Sequence, residues 1–202
     1  MNKNNPTRGN GVLEGLLANL RAGKANSFIK EKYRNGRILD IGCGTYPYFL
    51  TSTNFKQKYG IDPSVNLNLS KNKNTSLLKE KIGEKKIPFR DNFFDVVIML
   101  AVFEHIDSGK INFVLSEIKR VLKKEGMLII TTPSPWSDKL LHLMGEVGLI
   151  SSEEIHEHKT HYSMGEIVDI LKESGFRQSN IKNGYFELGF NMWFKYVDEK
   201  TS

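Results

Sequence analysis

Gly42 and Gly44, which are separated by one residue, follow a short apolar segment that contains one carboxylate, that of Asp40. This order is typical of a buried parallel strand that turns into a loop, where glycines let the backbone approach a ligand closely. A second short apolar segment ends in Asp62, whose carboxylate can accept hydrogen bonds from both hydroxyls of a ribose. The glycines alone would also fit a turn without a ligand. Together with both aspartates, they predict a nucleoside-binding crevice at the carboxyl ends of adjacent parallel strands.

Such a crevice requires parallel strands that alternate with helices, and hydrophobic periodicity predicts them along most of the chain. The continuous apolar run at residues 94–100 is typical of a central strand buried on both faces. Gly126 ends the connection before the fifth strand, and Asn183-Gly184 is a turn signal that joins the last two strands. The predicted strands cover residues 38–41, 58–61, 76–78, 94–100, 127–132, 176–181 and 185–194. The predicted helices cover residues 10–33 with an interruption near Gly23, 47–50, 111–122 and 163–174.

The alternation of these elements predicts an α/β fold. We expect a doubly wound, mostly parallel seven-stranded sheet with an antiparallel hairpin at its C-terminal edge. The 202 residues suffice for one domain with a full core. Within it we expect a helical cover (1–35), a cofactor-binding core (36–134), a substrate-side insertion (135–163), and a C-terminal helix with a strand pair (164–202).

Composition limits the classes of function. The net charge of +6 fits a solvated surface or an anionic partner, but residues 71–86 carry lysines without interleaved aromatic side chains, so we expect no nucleic-acid partner. The apolar runs are too short to span a bilayer. The polar residues 1–10 do not resemble a signal peptide, which predicts a cytoplasmic protein. Cys43 is the single cysteine, so no internal disulfide is expected.

Five segments, in the same order along the chain, resemble the class I S-adenosylmethionine-dependent methyltransferases. The resemblance runs from about residue 36 to residue 176 and implies a Rossmann-like methyltransferase fold. The segments read ILDIGCG at 38–44, YGIDPS at 59–64, IPFRDNFFDVVIMLAVFEHI at 87–106, EIKRVLKKEGMLIITTPSP at 117–135, and HYS at 161–163.

The resemblance implies S-adenosyl-L-methionine as the cofactor and a role for each matching residue. The backbone of the glycine loop would contact the methionyl and ribose parts, Asp40 would help to hold the amino end, and Asp62 would bind the ribose hydroxyls. Pro63 would lie against adenine, and the backbone after the fourth strand would complete the methionine pocket. The implied cofactor-binding residues are Asp40, Gly42, Cys43, Gly44, Tyr46, Ile61, Asp62, Pro63, Leu100 and Ala101.

Two positions depart from the family pattern. Tyr46 stands where a third glycine is common, which places an aromatic ring at the mouth of the pocket. An acidic residue that would contact adenine is found only with a shift in register, at Glu80 or Glu84. A nicotinamide dinucleotide fingerprint is disfavoured, because Pro47 stands where that motif needs its last glycine.

Glu104 and His105 follow the fourth strand, where the resemblance brings methyl donor and acceptor together. His105 is a candidate general base, since an imidazole titrates near neutral pH. Glu104 is a candidate catalytic or positioning residue. The alternatives are an acceptor that ionises unaided, or proton transfer to His158 or His161.

The segment after the fifth strand contains the candidate acceptor contacts His158, His161 and Tyr162. Its histidines and glutamates also allow a metal site, but their spacing matches no closed metal site, so we expect no metal. Trp136 and the apolar residues that follow it fit either core packing or a surface for a lipid-linked acceptor.

The predicted function is transfer of a methyl group to an oxygen or nitrogen nucleophile of a small molecule, such as a sugar, a lipid-linked compound or another metabolite. The alternative is a non-catalytic, methyltransferase-like subunit that binds a partner. No feature of the sequence indicates an oligomeric state.

Overall fold

The computed structural model describes residues 14–71, 74–137 and 162–198. Its centre is one seven-stranded sheet with the order β3-β2-β1-β4-β5-β7-β6. Strands β1 to β5 pair in parallel, whereas β7 is antiparallel to both of its neighbours. The predicted fold class is therefore confirmed. The strands are β1 (Arg37–Ile41), β2 (Gln57–Ile61), β3 (Thr75–Leu78), β4 (Phe94–Leu100), β5 (Leu122–Pro133), β6 (Ile181–Phe186) and β7 (Asn191–Val197).

Helices cover both faces of the sheet, which gives three layers and two apolar cores. Their bounds are α1 (Glu14–Phe28), α2 (Glu31–Arg34), α3 (Tyr48–Ser52), α4 (Ser108–Val121) and α5 (Met164–Glu173). The apolar side chains of α4, which include Val114, Leu115 and Ile118, recur at helical spacing and are buried against one face. The opposite face is covered by the C-terminal half of α1 through Ala22 and Ala25. All parallel strands end at one edge of the sheet, here called the carboxyl edge.

The N-terminal helix differs from its prediction. Helix α1 continues through Gly23, which is exposed, and the chain breaks instead at Ile29 and Lys30, before α2. Of the apolar residues at helical spacing, Leu16 and Leu20 are exposed, by 53% and 43%. The face that packs on the sheet is made by small side chains further along the helix, because alanine lets a helix approach the strands closely. The predicted residues 10–13 lie outside the described part.

The C-terminal hairpin also differs. The sequence predicts a strand at residues 176–181, but this segment contains a 3-10 turn, Gln178–Asn180, and β6 begins only at Ile181. The strand expected at 185–194 is β7, which begins at Asn191, and the turn lies at residues 187–190 rather than at Asn183-Gly184. Gly184 pairs with Trp193 inside the ladder, and a Cβ atom there would lie 3.0 Å from the indole. This glycine makes room for a ring across the strand pair and does not form the turn.

Strand β5 begins directly after α4, so Gly126 does not end a separate connection. The β4–β5 register jumps from Phe94↔Leu122 to Val96↔Met127, which makes residues 123–126 a bulge. A Cβ atom at Gly126 would lie 2.7 Å from the carbonyl oxygen of Lys123. The glycine therefore permits the close approach of backbone that the bulge requires.

A buried ion pair fixes the segment before β4 to α4. The Glu117 side chain is 7% exposed, and its carboxylate accepts hydrogen bonds from the backbone N–H of Ile87 and from Arg120. Arg120 also donates to the carbonyl oxygens of Ile87 and Phe89. These hydrogen bonds lower the pKa of Glu117, chiefly through Arg120. The pair thus holds the chain that enters the central strand.

We expect Arg120→Leu to lower the free energy of unfolding by about 3 kcal/mol, because it leaves the buried Glu117 carboxylate without its cation. Lys172→Leu is the matched control, since its ion pair with Asp169 on α5 is exposed and should contribute less than about 0.5 kcal/mol. Urea unfolding of both variants measures the difference. Equal losses in the two variants would contradict the role of the Glu117–Arg120 pair.

Candidate functional site

The glycine loop lies at the carboxyl edge, directly after β1. Gly42 and Gly44 have φ angles of +73° and +74°, a left-handed conformation that side chains other than glycine rarely adopt. The N–H groups of Gly42 and Cys43 donate to the carbonyl oxygen of Ile61, at 2.8 and 3.3 Å. A Cβ atom at Gly42 would lie 2.2 Å from Cγ2 of Val102. The loop is therefore closely fitted between the ends of β2 and β4.

Asp62 ties the end of β2 to this loop. The residue is 3% exposed, and its Oδ2 accepts a hydrogen bond from the Gly44 N–H at 3.1 Å. Its Oδ1 accepts a hydrogen bond from the Ser64 N–H at 2.7 Å. Each carboxylate oxygen can accept a further hydrogen bond. The carboxylate is thus fixed in orientation beside the glycine loop.

Asp40 lies inside β1, and its carboxylate is close enough to Asp62 for the two charges to interact. Its side chain makes no hydrogen bond to the described residues. Asp40 is 3% exposed and pairs in register with Gly60 and Ile98. Burial, and then the charge of Asp62, raises the pKa of Asp40 well above its usual value. A buried carboxylate without a partner is energetically costly, so a ligand ammonium group would stabilise its ionised form.

Cys43 contributes backbone rather than a reactive thiol. It is 7% exposed, and its Sγ donates to the carbonyl oxygen of Gly44 at 3.8 Å. A Cβ atom at Gly60 would lie 2.8 Å from this sulfur, so the thiol packs over the glycine of β2. Burial, with the charges of Asp40 and Asp62, raises the pKa of Cys43 and disfavours the thiolate.

The end of β4 carries backbone strain. Ala101 has a φ of +54°, which costs a residue with a Cβ atom about 1–2 kcal/mol. Its N–H donates to the carbonyl oxygen of Thr131 on β5 at 2.9 Å. Strain of this kind clusters at ligand sites, where surrounding structure holds the backbone in place. Leu100 and Ala101 stand at the carboxyl edge, on the strand that pairs with β1.

Glu104 and His105 belong to a 3-10 turn, Phe103–His105, that follows β4. Glu104 is 4% exposed, and its Oε2 accepts a hydrogen bond from Oγ1 of Thr132 at 3.0 Å. His105 is half-buried, and its backbone N–H donates to the carbonyl oxygen of Val102. Glu104 therefore braces the turn against β5, in a position to orient the loop that carries His105. The sequence analysis did not single out Thr132. The signal that could have found it is a polar residue near the end of the apolar fifth strand.

Tyr162 packs its ring edge-on against Phe103, with centroids 5.5 Å apart. Its hydroxyl is buried and has no hydrogen-bond partner among the described residues. The ring thus joins the core beneath the turn that carries His105, rather than standing free in a loop. His158 and His161, with the rest of the predicted acceptor segment, lie outside the described residues.

The other predicted cofactor contacts differ in how far they are exposed to solvent. Ile61 is buried and acts through its carbonyl oxygen, Tyr46 is half-buried, and Pro63 is exposed. Glu84 is exposed and paired with Lys81 at 3.4 Å. Glu80 is exposed as well. Within residues 14–71, 74–137 and 162–198, no three histidine, cysteine or acidic side chains are grouped for metal binding.

Residues 39–130 match the model of a protein family described as a methyltransferase domain. A Methanocaldococcus jannaschii protein is 34% identical over 114 residues, which cover 52% of this chain and 45% of that protein. A ubiquinone biosynthesis O-methyltransferase of Rickettsia bellii is 26% identical over 172 residues, covering 77% of this chain and 68% of that enzyme. The chain thus spans less than half the length of the first relative and about two thirds of the second.

Solved structures share the fold. A SAM dependent methyltransferase of Archaeoglobus fulgidus has a TM-score of 0.67 at 17% identity, covering 89% of this chain and 93% of that one. A chain from the complex between the Haloferax volcanii Trm112 methyltransferase activator and a methyltransferase has a TM-score of 0.69 at 14% identity, covering 94% and 96%.

The sheet order and the likeness to solved methyltransferase structures define a Rossmann-like fold. The match of residues 39–130 to a methyltransferase domain, together with this fold, supports the resemblance to the class I S-adenosylmethionine-dependent methyltransferases. The residues present fit the family's cofactor. Asp40 would offer a buried carboxylate to its ammonium group, Asp62 would offer oxygens to its ribose, and the loop would offer the backbone of Gly42, Cys43 and Gly44. Within the described ranges, no helix is long and apolar enough to cross a membrane.

We expect Asp62→Asn to weaken the binding of S-adenosylhomocysteine by about 1.5–3 kcal/mol. An amide at this position keeps the shape, but it cannot accept hydrogen bonds from Gly44, from Ser64 and from the ribose with both of its terminal atoms. Titration calorimetry measures the loss. Asp169→Asn, a change on exposed α5, is the control and should bind as the unchanged protein does. An unaltered affinity in Asp62→Asn would mean that the ribose is held elsewhere.

We expect Gly42→Ala to destabilise the fold by about 1–2 kcal/mol and to weaken S-adenosylhomocysteine binding about tenfold, because the left-handed φ and the contact with Val102 displace the loop. Gly23→Ala is the matched control. A Cβ atom at Gly23 meets nothing within 4 Å, and alanine there should stabilise α1 by up to about 1 kcal/mol. Calorimetry and thermal unfolding read both effects. Normal binding by folded Gly42→Ala would refute the placement of the loop.

Proposed function

We propose that the protein transfers the methyl group of S-adenosyl-L-methionine to an oxygen or nitrogen nucleophile of a small molecule. The observation that carries the proposal is a pair of buried carboxylates, Asp40 and Asp62, beside the glycine loop. The left-handed backbone of Gly42 and Gly44 gives this loop its path. A protein that had lost the cofactor would gain stability by replacing the unpartnered Asp40, because burying such a charge is costly.

Alignment of the two reactants supplies most of what this reaction needs from the protein. The bound cofactor supplies an electrophilic methyl group on a positively charged sulfur. Asp40 would hold its ammonium group and Asp62 its ribose, while the backbone of Leu100 and Ala101 would border the methionyl part. The acceptor must lose a proton as it gains the methyl group. We assign His105 as the group that accepts this proton. Glu104 would position the turn that carries His105.

Oxygen is the better-supported nucleophile. The relative from Rickettsia bellii is named a ubiquinone biosynthesis O-methyltransferase, as is one from Pelagibacter ubique that is 23% identical over 200 residues. A lipid-linked acceptor also agrees with Trp136, which follows β5 at the carboxyl edge and is 52% exposed. Sugars and other hydroxylated metabolites remain within the proposal.

Calorimetry with S-adenosylhomocysteine tests the cofactor site, and turnover of methyl-labelled cofactor with a metabolite extract tests catalysis. We expect saturable binding and label transferred to an extract component. The absence of binding at millimolar ligand would refute the proposal. Binding without transfer would favour the second candidate, a non-catalytic partner subunit, for which the structural likeness to a chain from the Trm112 complex is the supporting observation.

We expect His105→Ala to lower turnover about 100-fold while leaving S-adenosylhomocysteine affinity nearly unchanged, as for the loss of a positioned proton acceptor. Steady-state rates at several pH values, with calorimetry of the same variant, measure both quantities. A loss of only a few-fold, with the pH profile unaltered, would show that the acceptor ionises unaided or that another group takes the proton.

A further inference from the structure

Buried polar atoms without hydrogen-bond partners are concentrated under α1. In the described part of the chain, such atoms include Oγ1 of Thr131, Oδ1 of Asn191, Oε1 of Glu187 and Nε of Arg21. Thr131 is fully buried, and Asn191 is 5% exposed. Each buried polar group left unsatisfied costs about 1–3 kcal/mol, so four of them in one region are unusual.

The register of the sheet brings these groups to one face. Thr131 pairs with Trp193 across β5 and β7, and Asn191 lies two residues before Trp193 on the same strand. Side chains two residues apart on a strand point to the same face. Helix α1 covers that face, since Phe28 packs on Trp193 at 4.6 Å and Lys24 lies over the same ring. Arg21 is one helical turn before Lys24 and therefore faces the same region.

Glu187 is held in this region by its neighbours. Nδ2 of Asn191 donates to one carboxylate oxygen, and the other oxygen is the unpartnered one. Burial raises the pKa of Glu187, while the charge of Arg21 opposes that rise. Glu187 and Leu188 both have left-handed φ angles, +52° and +55°, at the turn between β6 and β7. Neither of these two consecutive strained residues is a glycine. We infer that this turn conformation is retained because it positions the side chains of the turn.

The cluster adjoins the crevice. The carbonyl oxygen of Thr131 accepts the hydrogen bond from the Ala101 N–H at 2.9 Å, so β5 joins the cluster to the strained end of β4. On the solvent side, the half-exposed Trp136 packs against Phe190 at 4.7 Å and over Gly189. The apolar ring of Trp136 therefore borders the inward-facing polar groups of the cluster.

We propose that Thr131, Glu187, Asn191 and Arg21 form the binding site for the methyl acceptor, and that this acceptor presents two neighbouring hydrogen-bond donors, hydroxyl or amine, on a small apolar body. The inference rests on the proposed function. Three of the free atoms are oxygens that can accept hydrogen bonds, and only the arginine nitrogen must donate. A ligand with adjacent donors satisfies the oxygens, while Trp136 contacts its apolar part. The four residues are specificity determinants, and the proton transfer assigned to His105 is separate.

The test uses the full chain saturated with S-adenosylhomocysteine. The probes are catechol, 2-aminophenol and cis-1,2-cyclohexanediol, each with two neighbouring donors, and 1,2-dimethoxybenzene, which has none. The chain has two tryptophans, Trp136 and Trp193, and both border the cluster, so their indole N–H signals in a nitrogen-15 NMR spectrum report binding without any turnover. We expect saturable shifts with at least one donor probe at millimolar concentration and none with the dimethoxy compound.

Two variants and one control sharpen the test. Glu187→Gln replaces an accepting oxygen by a donor and should weaken probe binding at least tenfold. Thr131→Val removes a buried hydroxyl without changing the shape, so it should raise the melting temperature while weakening probe binding several-fold, which a merely structural threonine would not do. Leu188→Asn is the control. Leu188 is 94% exposed, and asparagine tolerates its backbone conformation, so binding should be unchanged.

The outcomes separate the two proposals. Failure of S-adenosylhomocysteine to bind refutes the proposed function itself. If it binds, but no donor probe shifts the indole signals, or the dimethoxy compound binds as well as catechol, the acceptor site is refuted. Equal probe affinity in the unchanged protein, Glu187→Gln and Thr131→Val refutes it too.

Discussion

The contact between Asp62 and the Gly44 N–H is the constraint on which the site depends. It joins the end of β2 to the loop after β1, while the carbonyl oxygen of Ile61 accepts the first N–H groups of that loop. The loop can follow this path only because Gly42 and Gly44 adopt left-handed backbone and because Val102 fills the space a side chain would need. The two strand ends thus fix the geometry of the loop that we propose as the cofactor site.

The two faces of the sheet are built for different purposes. On the face of α4, the charges are paired: Glu117 and Arg120 satisfy each other and the backbone of the entering chain. Among the described residues, the Tyr162 hydroxyl is an unpartnered buried atom on that side, whereas on the face of α1 three residues, Thr131, Asn191 and Glu187, keep oxygens without partners. Stability favours satisfied groups, so unsatisfied ones that persist beside a crevice are better explained by a ligand.

Helix α1 connects both parts of the proposed site. Oδ1 of Asn19 accepts a hydrogen bond from the Tyr48 hydroxyl, beyond the glycine loop, and Arg21 acts on Glu187 at the β6–β7 turn. Its contact face is made of alanines, while Leu16 and Leu20 remain exposed. Its Asn19 and Arg21 side chains therefore reach towards α3 and towards the β6–β7 turn, respectively.

The sequence alone determined the elements whose signals are local. The apolar run of β4, the amphipathic stripe of α4 and the Gly-x-Gly loop follow from periodicity and from glycine, and they made the fold class and the cofactor crevice predictable. Only the tertiary structure decided the turn between β6 and β7, because Gly184 makes room for Trp193 on the neighbouring strand. It alone also brought together Arg21, Thr131 and Glu187. These residues are far apart in the chain, and a shared sheet face, which no local pattern encodes, places them side by side.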